Sequence, residues 1–457
     1  MFKRFIFVCV MVVLASLAAG CGRQNESPTA GSSLDEAVQR VYVDREPVHI
    51  EFWTGTGAAN LPFLEAMVDA FQEAYPHITV AFANQGPIHE LTGMLTQNIV
   101  SRTTPALSNL NPETFPAYID SNAIVDLMPF FTHPVIGFTA EEQAAFFQSY
   151  INEAMNLGPS GTMYGFPTNK KTTFVFVYNR TFFDSMGWDA PTTWDQVAEY
   201  SRIIFQQTGN PGFSFDTSLG FGAFKILSSQ WGSPYVTPEG VVDIDNQASL
   251  DALNFFRSNM EAGYFTLPAL MPSAGGHHSS GGFTMQECKM FIGSQAGIQF
   301  AIPNVERGHT PFEVGVAPIP QRDPARPFNF SMGENYAMFS NTTYDQRVAT
   351  WLLIRFLSGA EENSEWLVNS GNLPISYSMM ETAPYRAFLA TAMDGSIAGY
   401  RAAAVRSALE MRDFMQFQVA FERAGALADA VGSMWMSIMV GGADPETALR
   451  SAAANFR

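Results

Sequence analysis

Hydrophobic and polar residues alternate along the start of the chain's body, and the spacing then changes to that of a helix. Apolar side chains occupy every second position over residues 48–52, which predicts a strand. Over 61–75 they recur every three or four positions, which predicts a helix, and 78–82 alternate again. Strand, helix and strand in succession predict a βαβ unit. Ligands bind beyond the carboxyl ends of the strands in such sheets, which places 53–56 and 84–86 near a possible site.

The same succession of strands and helices continues to the end of the chain. Residues 174–178 and 314–317 are apolar runs of strand length. The capping-box pattern at 193–196 and the helical spacing at 348–356 predict two more helices. The pair Asp444-Pro445 opens a last helix, with Asp as cap and Pro in the first position. The fold class is therefore α/β.

The first residues have the pattern of a secretory signal. Lys3 and Arg4 precede an apolar stretch, 5–20, that is shorter than the about 20 residues a membrane-spanning helix needs. Small residues then lead to Cys21, and the segment resembles a bacterial lipoprotein signal. That resemblance implies cleavage after residue 20 and lipidation of Cys21. The alternative is ordinary secretion with an incidental cysteine.

Residues 21–46 are rich in Ser, Asn, Pro, Gly and charge, and they are interpreted as a flexible tether. The body is then expected in the cell envelope, lipid-anchored at the periplasmic or extracellular face of the membrane. We therefore predict that lipid anchors the protein to the membrane, rather than a spanning helix.

Composition narrows the function classes. The chain is 47% hydrophobic and its net charge is −18, so it is neither disordered nor suited to binding nucleic acid. Of the three cysteines only Cys288 lies in the body, which excludes a disulfide framework. The pair His277-His278 is interpreted as part of a loop, and no metal site or cofactor is predicted.

Five segments, in order, resemble one family. They are strand–helix–strand 48–80, the stretch 164–204 with Tyr-Asn and Pro-x-Thr-Trp, 288–297, the Pro-rich 315–321, and 370–376 with Gly-x-Leu-Pro. Their order and spacing resemble the extracellular (family 1) solute-binding lipoproteins of bacterial ABC importers, in the sugar-binding and glycerol-3-phosphate-binding group.

The resemblance implies a two-lobed, periplasmic-binding-protein-like fold of type II, with the ligand cleft between the lobes. Crossings between the lobes are expected near Pro167, Phe328 and Met380. Lobe one would comprise residues 47–167 plus 329–379, and lobe two 168–328 plus 380–457.

The glycerol-3-phosphate-binding branch implies ligand contacts at matching positions of this chain. They are Asn111 to Glu113, Lys170 to Thr172, Ser294, Gly333, Asn372 and Gln416. The branch has Tyr where this chain has Asn372, and a phosphate-binding Arg where it has Gln416, although Arg412 lies one turn earlier. A neutral sugar or polyol is therefore at least as well supported as glycerol phosphate.

Other candidates follow from the chemistry of sugars, which need flat aromatic rings and paired hydrogen-bonding groups. Trp53 and Trp231 follow strand and helix ends, where each could stack on a ligand or pack in the core. Glu334 and Asn335 are polar in an apolar stretch, which suggests a cleft lining. Asn111 and Glu113 could instead cap a helix, and Lys170 could be a solvated hinge residue. Four of the other tryptophans, at 194, 351, 366 and 435, are expected to pack in the protein interior.

These observations predict the substrate-binding component of an ABC transporter. It would capture a sugar, oligosaccharide or polyol and deliver it unaltered to ABC permease subunits in the membrane, as a monomer with no catalytic residues. The alternative is a secreted carbohydrate-active enzyme or a ligand-sensing protein on the same fold.

Overall fold

The computed structural model describes residues 33–217, 220–237, 240–417, 420–421 and 423–456. The predicted signal peptide and Cys21 lie outside the described residues. Among the described helices, none has both the length and the apolar character required to cross a membrane.

Strands and helices alternate along the described chain. The strands are β1 Val48–Thr54, β2 Ile78–Asn84, β3 Leu107–Leu110, β4 Phe166–Pro167, β5 Thr172–Asn179, β6 Phe213–Phe215, β7 Tyr235–Val236, β8 Val242–Asp243, β9 Phe265–Thr266, β10 Met290–Ser294, β11 Val314–Ala317, β12 Asn329–Met332, β13 Asn335–Met338 and β14 Met415–Gln416. The helices are α1 Leu34–Val38, α2 Leu61–Ala74, α3 Ile88–Ser101, α4 Phe115–Asp120, α5 Met128–Phe131, α6 Ala140–Ala145, α7 Gln148–Met155, α8 Arg180–Met186, α9 Trp194–Thr208, α10 Gly222–Gln230, α11 Gln247–Glu261, α12 Ser280–Thr284, α13 Tyr344–Leu357, α14 Ser364–Ser370, α15 Tyr377–Glu381, α16 Ala383–Ala390, α17 Ile397–Glu410, α18 Ala424–Met439 and α19 Pro445–Ala454.

The first sheet has the strand order β2-β1-β3-β13-β4. β1 is parallel to β2 from Val48↔Ile78 to Thr54↔Asn84, and parallel to β3, whereas β13 runs antiparallel to β3 and β4. The βαβ unit predicted from the alternation over 48–82 is confirmed. The carboxyl ends of β1, β2 and β3 meet at one edge of this sheet, because the three strands are parallel.

The second sheet has the order β14-β12-β5-β10-β6-β9, and β11 also pairs with β5. β10, β6 and β9 are parallel, and β5 runs antiparallel to β10, β11 and β12. Because β12 belongs to this sheet, the prediction that lobe one resumes at residue 329 is wrong. Phe330 lies between β5 and β14 in the second sheet, and the change of sheet comes after Met332.

Helix ends follow the local signals that the sequence contains. Thr193 caps α9 in a capping box with Gln196, and Gly209 ends the helix in the left-handed conformation that glycine adopts at little cost. Asp444 accepts a hydrogen bond from the backbone N–H of Thr447 at the start of α19. The helices and strands predicted around these signals are confirmed.

The predicted flexible tether, 21–46, is wrong from Ser33 onward. α1 begins with a capping box at Ser33, and the chain continues in a wider helical turn to Val43. Val41 is buried, and Arg40 forms an ion pair of 2.6 Å with Asp345 of α13. The tether was predicted from the polar composition of the segment. A short helix needs only one apolar face to pack against α13, so a polar composition does not exclude it.

One hydrophobic cluster runs continuously from the first sheet to the second. It contains Tyr336 of β13, Val177 of β5 and Val405 of α17. A second cluster, around Trp194 and Trp435, packs against the second sheet and α18. Trp194, Trp351, Trp366 and Trp435 are all buried, as predicted.

Three chain segments link the two sheets where they approach each other. Residues 168–171 join β4 to β5, and Gly333-Glu334 joins β12 to β13. A third segment passes beside the first, because the N–H of Leu373 donates to the carbonyl of Lys171 at 2.8 Å. The crossing predicted near Phe328 therefore lies about five residues later, at Gly333.

Candidate ligand-binding cleft

A buried ion pair lies where the crossing segments meet. Lys171, at the entry to β5, contacts the carboxylate of Glu153 on α7, and the two side chains are 1% and 2% exposed. The Lys171 amine also lies 3.4 Å from the Gly333 carbonyl and 5.4 Å from the centre of the Tyr150 ring. A buried charge requires such compensation, so the pair fixes α7 and two crossings to one another.

Lys170 and Glu334, both predicted as site residues, form an adjacent polar cluster. The Lys170 amine lies 2.8 Å from the Glu334 carboxylate, which also accepts a hydrogen bond from the Asn109 amide. Thr168 donates to the backbone carbonyl of Glu334 at 2.9 Å. Asn109 belongs to β3, so the cluster ties both crossings to the first sheet. The solvated-hinge interpretation of Lys170 is wrong, because both charged side chains are largely buried.

Gly333 has a backbone conformation that a larger residue would not tolerate. Its φ is +140°, and an added Cβ would lie 2.7 Å from the Lys170 carbonyl oxygen and 3.0 Å from the Lys171 Cα. Glycine is the residue that permits this close approach. The sharp change of direction between β12 and β13 thus depends on Gly333.

Asn335 begins β13 and is completely buried. Neither its amide nitrogen nor its amide oxygen forms a hydrogen bond with any residue in the described part of the chain. A buried amide without partners is unfavourable by roughly 1–3 kcal/mol, so it is a candidate for binding water or a ligand group. Asn335 pairs with Leu110 of β3, directly beside the predicted site residues Asn111 and Glu113.

Glu113 lies where the first sheet faces a helix that packs on the second. Burial raises the pKa of its carboxyl group, although the Asn111 side chain donates a hydrogen bond to it. A Cβ added at Gly425, in the first turn of α18, would lie 3.7 Å from Glu113 Cγ. Asn111 makes no capping hydrogen bond from its side chain to the turn that follows. The pair is therefore placed at the interface between lobes.

Ser294 ends β10 and is hydrogen-bonded to the start of β5. Its hydroxyl lies 2.8 Å from that of Thr172, which also donates to the side-chain amide oxygen of Gln295 at 2.8 Å. Gln295 in turn donates to the Gly371 carbonyl at 3.4 Å. Asn372, the next residue, is half-buried beside this network. Ser294 and Asn372 are thus brought together with the third crossing segment.

The two candidate aromatic rings lie in different environments. Trp53, on β1, packs against the cluster that contains Leu91 and Leu95. The Trp231 ring lies 5.1 Å from the Phe255 ring, and the Arg322 guanidinium stacks 5.1 Å from its centre. Both are half-buried. Both indole rings therefore have packing partners within the protein, and stacking of either ring on a ligand remains a prediction.

Arg412 and Gln416 flank a short turn that leads into β14. Arg412 donates to the Leu409 carbonyl at 3.0 Å. Gln416 is exposed and lines a cavity of about 50 Å³ together with Lys225, Tyr235 and Phe417. The structure thus places Gln416, rather than Arg412, on a cavity wall in the second lobe.

Two buried charged residues of the second lobe, Lys225 and Asp216, were not predicted from the sequence. Lys225 is buried on α10 and lines the cavity described above. Asp216 follows β6 and accepts a hydrogen bond from the Ser279 N–H, and its carboxylate raises the pKa of His278. A lone lysine within an apolar helix and an acid just beyond a strand were the available signals.

The two sheets, and the polar side chains gathered where the crossing segments meet, define a two-lobed binding protein of the α/β class. A family model described as bacterial extracellular solute-binding protein matches residues 66–390. The chain therefore belongs to the bacterial extracellular solute-binding protein family.

Relatives and solved structures agree with this membership. A Brucella abortus (strain 2308) protein named "Putative binding protein" is 22% identical over 402 residues, 86% of this chain and 88% of its own. The sugar-binding protein MalE from Xanthomonas citri superposes with a TM-score of 0.73 at 14% identity, covering 90% of this chain and 96% of MalE. UgpB from Mycobacterium tuberculosis, in complex with glycerophosphocholine, has a TM-score of 0.72 at 17% identity, covering 90% and 97%. The fold of this chain is thus that of two-lobed solute-binding proteins.

Proposed function

We propose that this protein is the substrate-binding component of an ABC importer, capturing a sugar, oligosaccharide or polyol outside the cytoplasmic membrane. The observation that carries the proposal is the convergence of crossing segments and polar side chains between two sheets. Family membership supports it, as do fold relatives that bind maltose-type sugars and glycerophosphocholine.

In this proposal the ligand binds between the lobes and draws them together. A ligand shifts a conformational equilibrium only through differential affinity for the two states, so it must contact both lobes at once. Glu113 and Asn335 would supply contacts from the first sheet, and Ser294 and Gln416 from the second. The Lys171–Glu153 pair would hold the hinge while the lobes move.

The finer assignments belong to the same proposal. Cys21 would carry lipid, anchoring the protein at the outer face of a membrane, and ABC permease subunits would receive the ligand from the closed form. The lobes would be 47–167 plus 334–379, and 168–333 plus 380–457, with the first boundary revised from the pairing of β12.

The test is a thermal-shift screen of purified protein from residue 22 onward against sugars, oligosaccharides, polyols and glycerol phosphates. A ligand that binds the folded state raises Tm by mass action. We expect at least one to do so and to be recovered chemically unchanged. Conversion of a glycoside during incubation would instead establish the enzyme alternative and overturn the proposal.

A further inference from the structure

Lys225 is a buried cation for which the described chain provides no counter-charge. The residue is 6% exposed, and no carboxylate of a described residue lies within 4 Å of its amine. The amine instead lies 4.0 Å from the centre of the Phe330 ring and 5.2 Å from that of Tyr235. Burial lowers the pKa of Lys225 to about 7, although the charge of Glu153 opposes that shift.

The amine lines a cavity whose other polar side chains can donate as well as accept hydrogen bonds. The cavity has a volume of about 50 Å³, and these side chains are Ser229, Tyr235 and Gln416. Its apolar wall is formed by Tyr235, Phe328, Phe417, Phe421 and Leu427. A cavity of this volume, with hydrogen-bonding side chains on several sides, is suited to one small group that carries several oxygen atoms.

Tyr235 completes this wall in a strained backbone conformation. Its φ of +62° lies in the left-handed region, which is unfavourable for a bulky residue. Such strain persists where the surrounding structure holds the residue in place, and it is concentrated at ligand sites. The strain is an observation independent of the charge on Lys225.

The cavity also lies toward the other lobe. The Phe421 carbonyl accepts a hydrogen bond from the N–H of Ala424, the first residue of α18, at 2.9 Å. The first turn of α18 approaches Glu113 of the first sheet. The side of the second lobe that carries this cavity is therefore linked through α18 to the first lobe.

We propose that Lys225 binds an anionic group of the ligand, a carboxylate or a phosphate, within the cavity formed by α10, β7 and β14. The inference rests on the proposed solute-binding function and narrows its ligand class to sugars or polyols that carry an acid. The ligand would supply the counter-charge, and Ser229 and Gln416 would complete the hydrogen bonding of its oxygens.

The experiment compares matched neutral and anionic probes. Glucose, glucuronate and glucose 6-phosphate, and glycerol with glycerol 3-phosphate, are titrated at constant ionic strength against the wild type, Lys225→Met and Lys289→Met. Lys289 is the control, because it is another buried lysine of the second lobe over a phenylalanine ring, and its amine contacts Gln286. Inorganic phosphate and acetate serve as minimal probes.

We expect an anionic probe to raise Tm where its neutral partner does not, and Lys225→Met to weaken that binding about tenfold to a hundredfold. Lys289→Met should bind as the wild type does. The phosphate and carboxylate arms identify which acid is recognised. A response equal in Lys225→Met and the wild type, or no response to any anionic probe, overturns the anion site.

A second measurement does not depend on the variant. Tyr235 from β7 and, through space, Glu153 from α7 are the titratable groups that face the amine in the described chain. Binding of an anion above neutral pH should therefore be accompanied by proton uptake, seen by calorimetry in buffers of different ionisation enthalpy. Equal binding of neutral glucose by all three proteins, without proton uptake, overturns this inference and leaves the proposed function standing. Chemical conversion of a probe would overturn the function instead.

Discussion

Two buried lysines of this protein lie in contrasting surroundings. Lys171, at the crossing between the sheets, has Glu153 in contact and a carbonyl and an aromatic ring beside it. Lys225, on α10, has aromatic rings and a cavity beside it, and no carboxylate within 4 Å in the described part of the chain. Lys171 is compensated by a carboxylate inside the fold, whereas among the described residues Lys225 has none, so a bound anion would be its partner.

The difference separates the residues that hold the hinge from those that recognise the ligand. A charge that is fully paired inside the protein contributes to the geometry of the folded state. A charge left without a partner destabilises the folded state until a ligand supplies the partner. Substitutions at the two kinds of residue should therefore differ in their effect on stability.

The hinge pair should show the largest loss of stability. Lys171→Met leaves Glu153 buried without its partner, and we expect the free energy of unfolding to fall by about 3–5 kcal/mol. Urea unfolding measures the change. The double variant Lys171→Met/Glu153→Leu should recover most of it, because both charges are then removed. A single-variant loss below about 1 kcal/mol would contradict the structural role.

Lys225→Met should instead stabilise the ligand-free protein. The folded-state pKa of Lys225 is lowered to about 7 from 10.5, so between these pH values the unfolded chain binds more protons and wild-type stability rises with pH. The variant should be about 2–4 kcal/mol more stable below pH 7, and its advantage should shrink as pH rises toward 10.5. Urea unfolding at several pH values measures this, and a destabilised variant would contradict it.

Gly333→Ala should destabilise the crossing by about 1–3 kcal/mol, because its backbone conformation excludes a Cβ. The added methyl group would collide with the Lys170 carbonyl and displace the crossing from Lys171. Gly93→Ala is the control, since that position on α3 has open space around it and alanine favours a helix. If both variants are equally stable in thermal unfolding, the close approach at Gly333 is unimportant.

The ion pair between Lys170 and Glu334 should show the smallest effect on stability. Lys170→Met or Glu334→Gln should change the unfolding free energy by at most about 1 kcal/mol, since the pair retains some contact with solvent. Their effect should appear in ligand affinity, measured by calorimetry with the best ligand of the screen. A loss of stability as large as that of Lys171→Met would place Lys170 with the hinge residues instead.

Local features of this fold could be predicted from sequence, and long-range ones could not. The capping box at Thr193 and the alternation in β1 depend on neighbours within a few residues, so they are readable in the chain itself. The pairing of β12 with β5 joins Ser331 to Thr173, far apart in sequence, and the boundary predicted there was wrong.

The residues of the candidate site likewise include some that could be predicted from the sequence and one that could not. Lys170, Gly333 and Glu334 were predicted as ligand-contact or cleft residues, and they meet because 168–171 and 333–334 are the segments that join the two sheets. Lys225 was not predicted, because its interest lies in having no carboxylate within 4 Å among the residues that the structure describes. No pattern of spacing in the sequence reports the absence of a partner.

If two lobes close on a small solute and release it unchanged, the protein should become more compact when the solute binds. Small-angle X-ray scattering of the protein, with and without the compound that raises Tm most, measures this change. We expect a smaller radius of gyration with the compound present, reversed on dialysis, with the compound recovered intact. An unchanged radius at saturation, or a recovered compound that has been chemically altered, would rule out closure and release.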